Sequence, residues 1–351
     1  MMNRIVKAVA AVGVIACVAS GVLIGVGYLT GGMDYVEQRD CNSISDRGLW
    51  SDNQITQEKI KLDDVKEMHA ELTHLDLCIQ PSNDDSWYLE YTVQKMKTGD
   101  DPISCEVKDG VLNLEESDGA DASYDIHIDL SGFGVGEKET SNDNVLILYA
   151  PKDAMLRESE ITLADGDLSI EGIRCQTADW ELQYGDLSFK NGTILGGSVQ
   201  LDDGDASLKQ AASENTDWIM KYGDLLAEQS QFTGGSVQLY DGDLEGKTVT
   251  WSTLPLTLSY GDLEERGSTW DGLNLTMKDG DVDSSQLTVQ GENTVVSKYG
   301  DVTASLTPES RKQTVLDLRA DYGDVNTYRS PAEGEDSRLT VTCEDGDIDI
   351  E

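Results

Sequence analysis

Four pairs of aspartates straddle a glycine: Asp165 and Asp167, Asp203 and Asp205, Asp241 and Asp243, and Asp279 and Asp281. Carboxylates this close together could serve calcium, which takes about six to eight oxygens at about 2.3–2.6 Å. One pair is too few, so a site would need neighbouring pairs to pool their oxygens. Calcium-binding solenoids do this with a repeat of about nine residues, of the form GGxGxDxUx. Here the pairs alternate with Tyr-Gly-Asp units, so the expectation is solvated turn aspartates, no cofactor and only a salt-like response to calcium or magnesium. Other chemistry is scarcer. The histidines are His69, His74 and His127, and none lies in an HExxH or beside a GxSxG. Neither a phosphate loop nor a dinucleotide fingerprint is present. No catalytic or cofactor-binding residue is assigned, and an enzyme is not expected. Trp180, Trp218, Trp251, Trp270 and the tyrosines either line a face for a glycan or protein, or pack the interior as strand aromatics commonly do.

The aspartates belong to a longer rhythm. Gly-Asp recurs with glycines at 166, 185, 204, 223, 242, 261, 280, 300, 323 and 346. A fixed period near nineteen is the mark of a repeat architecture. Alternating strands run into each Gly-Asp and leave it, as in "WELQYGDLSFK" (180–190). Glycine supplies a positive φ or a close backbone approach, and aspartate bonds nearby amides at a turn. The fold expected is all-β: a β-solenoid, read as a right-handed β-helix, with each coil hydrogen-bonded to the next. The residue before the glycine reads Asp165, Tyr184, Asp203, Tyr222, Asp241, Tyr260, Asp279, Tyr299, then breaks to Tyr322 and Asp345. Coils of nineteen residues would set Asp against Tyr and keep like charges off adjacent strands. Coils of thirty-eight would stack Asp on Asp; Trp180 and Trp218, 38 apart, keep that alternative open.

Before the regular repeats (157–351), residues 61–156 read as a degenerate β part of the same solenoid. "MHAELTHLDLCIQ" (68–80) and "SWYLEYTV" (86–93) are strand-like, "CEVKDGVLNLEE" (105–116) is a hairpin about Asp109-Gly110, and "NVLILYAPKDAML" (144–156) is a strand ended by Pro151. Residues 34–60 read as a polar spacer. Residues 8–29, apolar and uncharged with Arg4 and Lys7 before them, are long enough to span a bilayer. That makes 1–33 a cytoplasmic stub and signal-anchor and sets the bulk of the chain outside the cell membrane. A lipobox-like "VIAC" with Cys17, or cleavage of a signal peptide, are the competing readings. Six cysteines without CxxC spacing define neither a disulfide framework nor a zinc site, and Cys78 with Cys105 is one pairing among several.

A net charge of −41 excludes nucleic acid and anionic lipid as ligands, since both are held through clustered Lys and Arg. The apolar N-terminal segment, "HLDLCIQPSNDDSWYLEYTV" (74–93), "VLILYAPKDAML" (145–156) and the Gly-Asp repeats together resemble a provisionally named adhesin family of bacterial envelope proteins, over about 61–351. The resemblance implies a right-handed β-helix at the cell surface, in domains of unknown function, and no catalytic motif. Three functions follow as expectations: an anchored surface module for adhesion or envelope interaction with a glycan or protein; a structural or sensing accessory of an envelope membrane complex; and, least supported, a polysaccharide-active β-helix enzyme.

Overall fold

Apolar residues at every second position favour strands with one buried face. In Arg174–Tyr184 the buried Cys175, Ala178, Trp180 and Leu182 alternate with exposed polar neighbours. The structure is a computed structural model. It describes residues 54–96, 98–117, 144–328 and 337–351, all within the unit Cys41–Glu351. The expected membrane span, Cys17 and His127 lie outside the described residues. Among the described residues, no helix is long and apolar enough to cross a membrane.

Each regular coil has a long face, a Gly-Asp bend, a short face and a second corner; in the later coils the long face itself bends, at Thr253 and Gly272, into two strands. Arg174–Tyr184 is one long face and Leu187–Lys190 its short face. Both faces stack in parallel at a nineteen-residue register. Trp180 pairs with Val199, Val199 with Trp218, and Trp218 with Val237. The coil is therefore nineteen residues, and the larger coil is ruled out. The 38-residue similarity arises inside, where bulky Trp180 and Trp218 alternate with smaller Val199 and Val237 so that successive levels interdigitate.

The interior is filled by Leu, Val and Ile, with Trp180, Trp218, Trp251, Trp270, Phe189 and Phe232 wholly buried. Trp180 meets Phe189 edge-on, and Phe232 stacks on Trp251 with centroids 4.5 Å apart. Such pairs add about 0.5–1.5 kcal/mol beyond area burial.

Stacking order departs from chain order at both ends. At the N-terminal end, Glu67–Leu72 lies between Val111–Glu116 and Met155–Asp165. On the short face, Asp76–Pro81 lies between Val145–Ala150 and Leu168–Glu171. Antiparallel strands then close this end. Ile103–Lys108 returns along Val111–Glu116 through Asp109 and Gly110, whose φ of 53° and 85° form the anticipated hairpin turn. Tyr88–Gln94 runs antiparallel to Val145–Ala150, and Gln54–Lys61 to Tyr88–Gln94. Part of the expected spacer is thus an edge strand. Its four C-terminal residues are exposed, so it needs no apolar alternation.

At the other end, Ser337–Asp345 is inserted between Glu292–Tyr299 and Thr314–Tyr322. Ile348–Ile350 does the same on the short face, between Val302–Leu306 and Val325–Thr327. The penultimate strand pair in the chain is thereby the last level of the stack. A four-residue helix, Ser310–Gln313, precedes it.

Candidate functional site

The Gly-Asp bends form two columns along one corner of the solenoid. In the first, each aspartate after the glycine accepts the amide N–H of its counterpart one coil on. The ladder starts at Asp76, which follows Leu75 instead of glycine: its Oδ1 accepts from Asp167 N at 3.0 Å, Asp167 Oδ1 from Asp186 N at 3.0 Å, and Asp186 Oδ1 from Asp205 N at 2.9 Å. The ladder continues through Asp205, Asp224, Asp243, Asp262 and Asp281 to Asp301 N. It follows the spatial order at the end, from Asp301 to Asp347 N and from Asp347 to Asp324 N. Burial raises the Asp205 and Asp224 carboxyls above the usual range, against the lowering effect of the amides they accept, and neighbouring carboxylates raise them further.

Glycine is required beside this ladder. Gly223 has φ of 133°, and a Cβ there would lie 2.1 Å from the Gly204 carbonyl oxygen. The approach is 2.0–2.3 Å at all ten glycines of the Gly-Asp repeat, from Gly166 to Gly346. No side chain fits that gap.

The second column is the residue before each glycine, and it faces water. Asp165, Asp203, Asp241, Asp279 and Asp345 are exposed. So are Tyr184, Tyr222, Tyr260, Tyr299 and Tyr322, at 44–76%. Tyr184 pairs with Asp165 and Asp203, and Tyr222 with Asp203 and Asp241. The sequence order breaks at Tyr299, Tyr322, Asp345, but the inserted C-terminal strand sets Asp345 between Tyr299 and Tyr322. In space the alternation is unbroken. Two lysines of the chain use this column. Lys278 Nζ lies 4.6 Å from the Tyr260 ring centroid and donates to its hydroxyl at 2.8 Å, and Lys298 Nζ lies 5.0 Å from the Tyr299 ring.

The eight aspartates singled out in the sequence are therefore divided between two tasks. Asp167, Asp205, Asp243 and Asp281 belong to the amide ladder. Asp165, Asp203, Asp241 and Asp279 stand outside it, each separated from the next by a tyrosine level. Among the described residues no group of three or more His, Cys, Asp or Glu is arranged to hold a metal ion.

The tryptophans belong to the core. Trp180 Nε1 donates to Ser159 Oγ at 3.0 Å and Trp218 Nε1 to Ser213 Oγ at 2.8 Å, giving each buried indole an acceptor. Trp251 and Trp270 share a different one. Both donate to Glu265, Trp251 to Oε1 and Trp270 to Oε2 at 2.6 Å. Glu265 is only 5% exposed, and burial pushes its carboxyl up to about 7 despite those donors. Gly246 makes room for it, since a Cβ there would meet Glu265 Oε1 at 3.0 Å. This residue escaped the sequence reading. Its signal was a charged residue at an inward position of Leu263–Arg266, in register with Phe189, Leu208, Ala227 and Gly246.

His69 pairs with Glu160 at 2.8 Å on the surface. His74 lies beside Glu116, whose Oε2 accepts the amides of Thr73 and His74 and fixes that bend. Cys78 is disulfide-bonded, whereas Cys105, Cys175 and Cys343 are free. Of the pairings left open, Cys78 with Cys105 is therefore excluded: Cys105 sits on the antiparallel strand Ile103–Lys108, on the long-face side of the end cap, while Cys78 belongs to the short face.

A search of protein-family models matches residues 65–351 to Toastrack DUF4097. The chain belongs to the Toastrack family. No curated protein sequence matches this Toastrack chain. Of the solved structures similar to it, one is provisionally called a lipid binding protein, from Parabacteroides distasonis. It is 12% identical with a TM-score of 0.39, over 86% of this chain and 98% of that one. Another, provisionally called a cell adhesion protein, is from Clostridium sporogenes. It is 13% identical with a TM-score of 0.17, over 84% and 99% of the two chains.

Proposed function

We propose that this Toastrack protein is a non-catalytic interaction module, tethered to the cell membrane by residues 8–29 and displayed outside the cytoplasm, where it meets a surface or envelope partner. The observation that carries this reading is the exposed Asp/Tyr column. A catalytic centre needs one unique constellation, whereas this corner repeats the same two side chains from level to level. Exposed tyrosines recurring at every second level suit a binding face, since the ring offers apolar area and the hydroxyl a polar handle. The disulfide at Cys78 fits an oxidising compartment. The test is fractionation of cells expressing the full chain, followed by protease treatment from outside and capture of envelope components on the detergent-solubilised protein. Membrane retention, external cleavage and specific capture are expected. Recovery from the cytoplasm, or as a soluble form trimmed after residue 20, would remove the anchor from the proposal. Capture of one membrane protein and no surface component would favour the accessory role instead.

A further inference from the structure

Resting on the reading of the Asp/Tyr column as a working face, we propose that its occupant is a basic peptide in polyproline II conformation with a cationic side chain at every third residue. Two features of the corner decide the chemistry. Carboxylates alternate with aromatic rings, so Tyr184 and Tyr222 each lie between two anionic side chains on adjacent levels, and the terminal Tyr322 lies beside Asp345. The chain's own lysines already sit on this column as cations over rings, at Tyr260 and Tyr299. Among the described residues no lysine or arginine lies over Tyr184, Tyr222 or Tyr322, so those rings remain open to an ammonium or guanidinium from elsewhere. A net charge of −41 draws such a partner in and repels an anionic one.

The spacing decides the conformation. Tyrosines occupy alternate levels, and two levels at about 4.8 Å place successive rings about 9.6 Å apart. A polyproline II helix completes its turn of three residues in about 9.3 Å, presenting one side chain per turn on the same side. A β-strand presents same-face side chains about 6.7 Å apart and falls out of step after one ring. Rows of aromatic rings lining grooves are a recurrent seat for polyproline II segments, because such a ligand is already ordered before binding.

The experiment uses the full-length protein in non-ionic detergent and three probes followed by fluorescence anisotropy: (Pro-Pro-Lys)5, a scrambled 15-mer of the same composition, and an oligomer of fully deacetylated glucosamine. The expected result is that (Pro-Pro-Lys)5 binds at least about tenfold more tightly than the scrambled peptide. The triple variant Tyr184→Ser, Tyr222→Ser, Tyr322→Ser should lose about tenfold for the regular peptide alone, as three cation–π contacts disappear. These tyrosines are exposed, so an unchanged melting temperature shows that the variant is folded. Equal binding of both peptides, indifferent to the tyrosines, would reduce the column to unspecific charge and overturn the proposal. Tighter binding of the amino-glycan would overturn it in favour of a glycan face. If the triple variant loses the peptide yet still captures envelope components, this inference stands as a peptide site and the wider interaction reading rests on another face. If no probe binds while capture persists, this inference alone fails.

Discussion

Of the sharp corners in each coil, the Gly-Asp corner could be read from the sequence and the one that ends the short face could not. At the Gly-Asp corner every repeat uses glycine. At the opposite corner the chain is again left-handed, at Gly172, Asn191, Gln210, Gln229, Thr248, Gly267 and Gln286, with φ between 49° and 72°. These positions recur every nineteen residues with four residue types. The difference is space. A Cβ on Gly267 would meet nothing nearer than Thr248 Oγ1 at 3.7 Å, whereas one on Gly223 would strike a backbone oxygen at 2.1 Å. Positive φ alone costs an ordinary residue about 1–2 kcal/mol, which a stacked solenoid absorbs. A backbone contact that leaves no room for Cβ cannot be absorbed.

The same substitution at the two corners should separate these terms most sharply. Gly223→Ala is expected to lose about 4 kcal/mol in denaturant unfolding, combining backbone strain with overpacking against the Gly204 carbonyl. Gly267→Ala should lose about 1 kcal/mol. Equal losses would mean that φ, and not the close approach, selects the glycines.

Next in size is the effect of Glu265, which lies in the interior between the corners. Its carboxyl is raised from an ordinary 4.5 to about 7. The folded state therefore holds its proton more tightly than the unfolded chain. The stability this provides is fully present below about pH 4.5 and is lost as pH rises through about 7, on the order of 3 kcal/mol in all. Glu265→Gln should flatten that part of the stability–pH profile, measured by urea midpoints from pH 5 to 8. A profile identical to that of the unchanged protein would show that Glu265 carries its charge into the core without penalty.

Smaller effects probe the amide ladder at the Gly-Asp corner. Asp224→Ala removes the acceptor of Asp243 N and should cost about 1–2 kcal/mol. Asp224→Asn keeps an acceptor oxygen while discharging a carboxyl already raised by burial and by Asp205 and Asp243, so it should be neutral or stabilising. If the asparagine variant loses as much as the alanine variant, the charge itself holds the ladder.

The smallest effect expected is that of divalent ions. Calcium and magnesium should raise the melting temperature comparably, by screening the net charge of −41. Micromolar, stoichiometric calcium binding that magnesium cannot replace, seen by calorimetry, would instead return Asp165, Asp203, Asp241 and Asp279 to a metal site.

Gly-Asp was legible because a close approach admits a single residue type, so geometry imprints itself on composition. The second corner was illegible for the opposite reason: Asn191, Gln210 and Thr248 all meet a φ requirement that leaves their side chains free to differ. Burial patterning exposed the strands, since Trp180 and Leu182 alternate with Glu181 and Gln183 whatever their partners. Partner choice was not local information, so the order of levels at the two ends could not be read from strand patterns. One trace of it was present. Tyr322 and Asp345 stand in the wrong order along the chain, and they regain alternation only if the last strand is placed before the one preceding it.

That displaced strand has a consequence for the biosynthesis of the protein. Levels from Met155 to Leu306 can each dock as soon as they leave the ribosome or the export channel, because the template for each has already formed. Thr314–Tyr322 cannot, since its only parallel neighbour on the long face among the described residues, Ser337–Asp345, comes after it in the chain. The segment must wait, undocked, until residues 337–350 have followed it, and these then act as a wedge that completes two levels at once. A chain prematurely ended at residue 336 would thus lose more than its missing residues. Its 314–327 segment should exchange amide hydrogens as freely as an unfolded strand, while the coils before Leu306 stay protected.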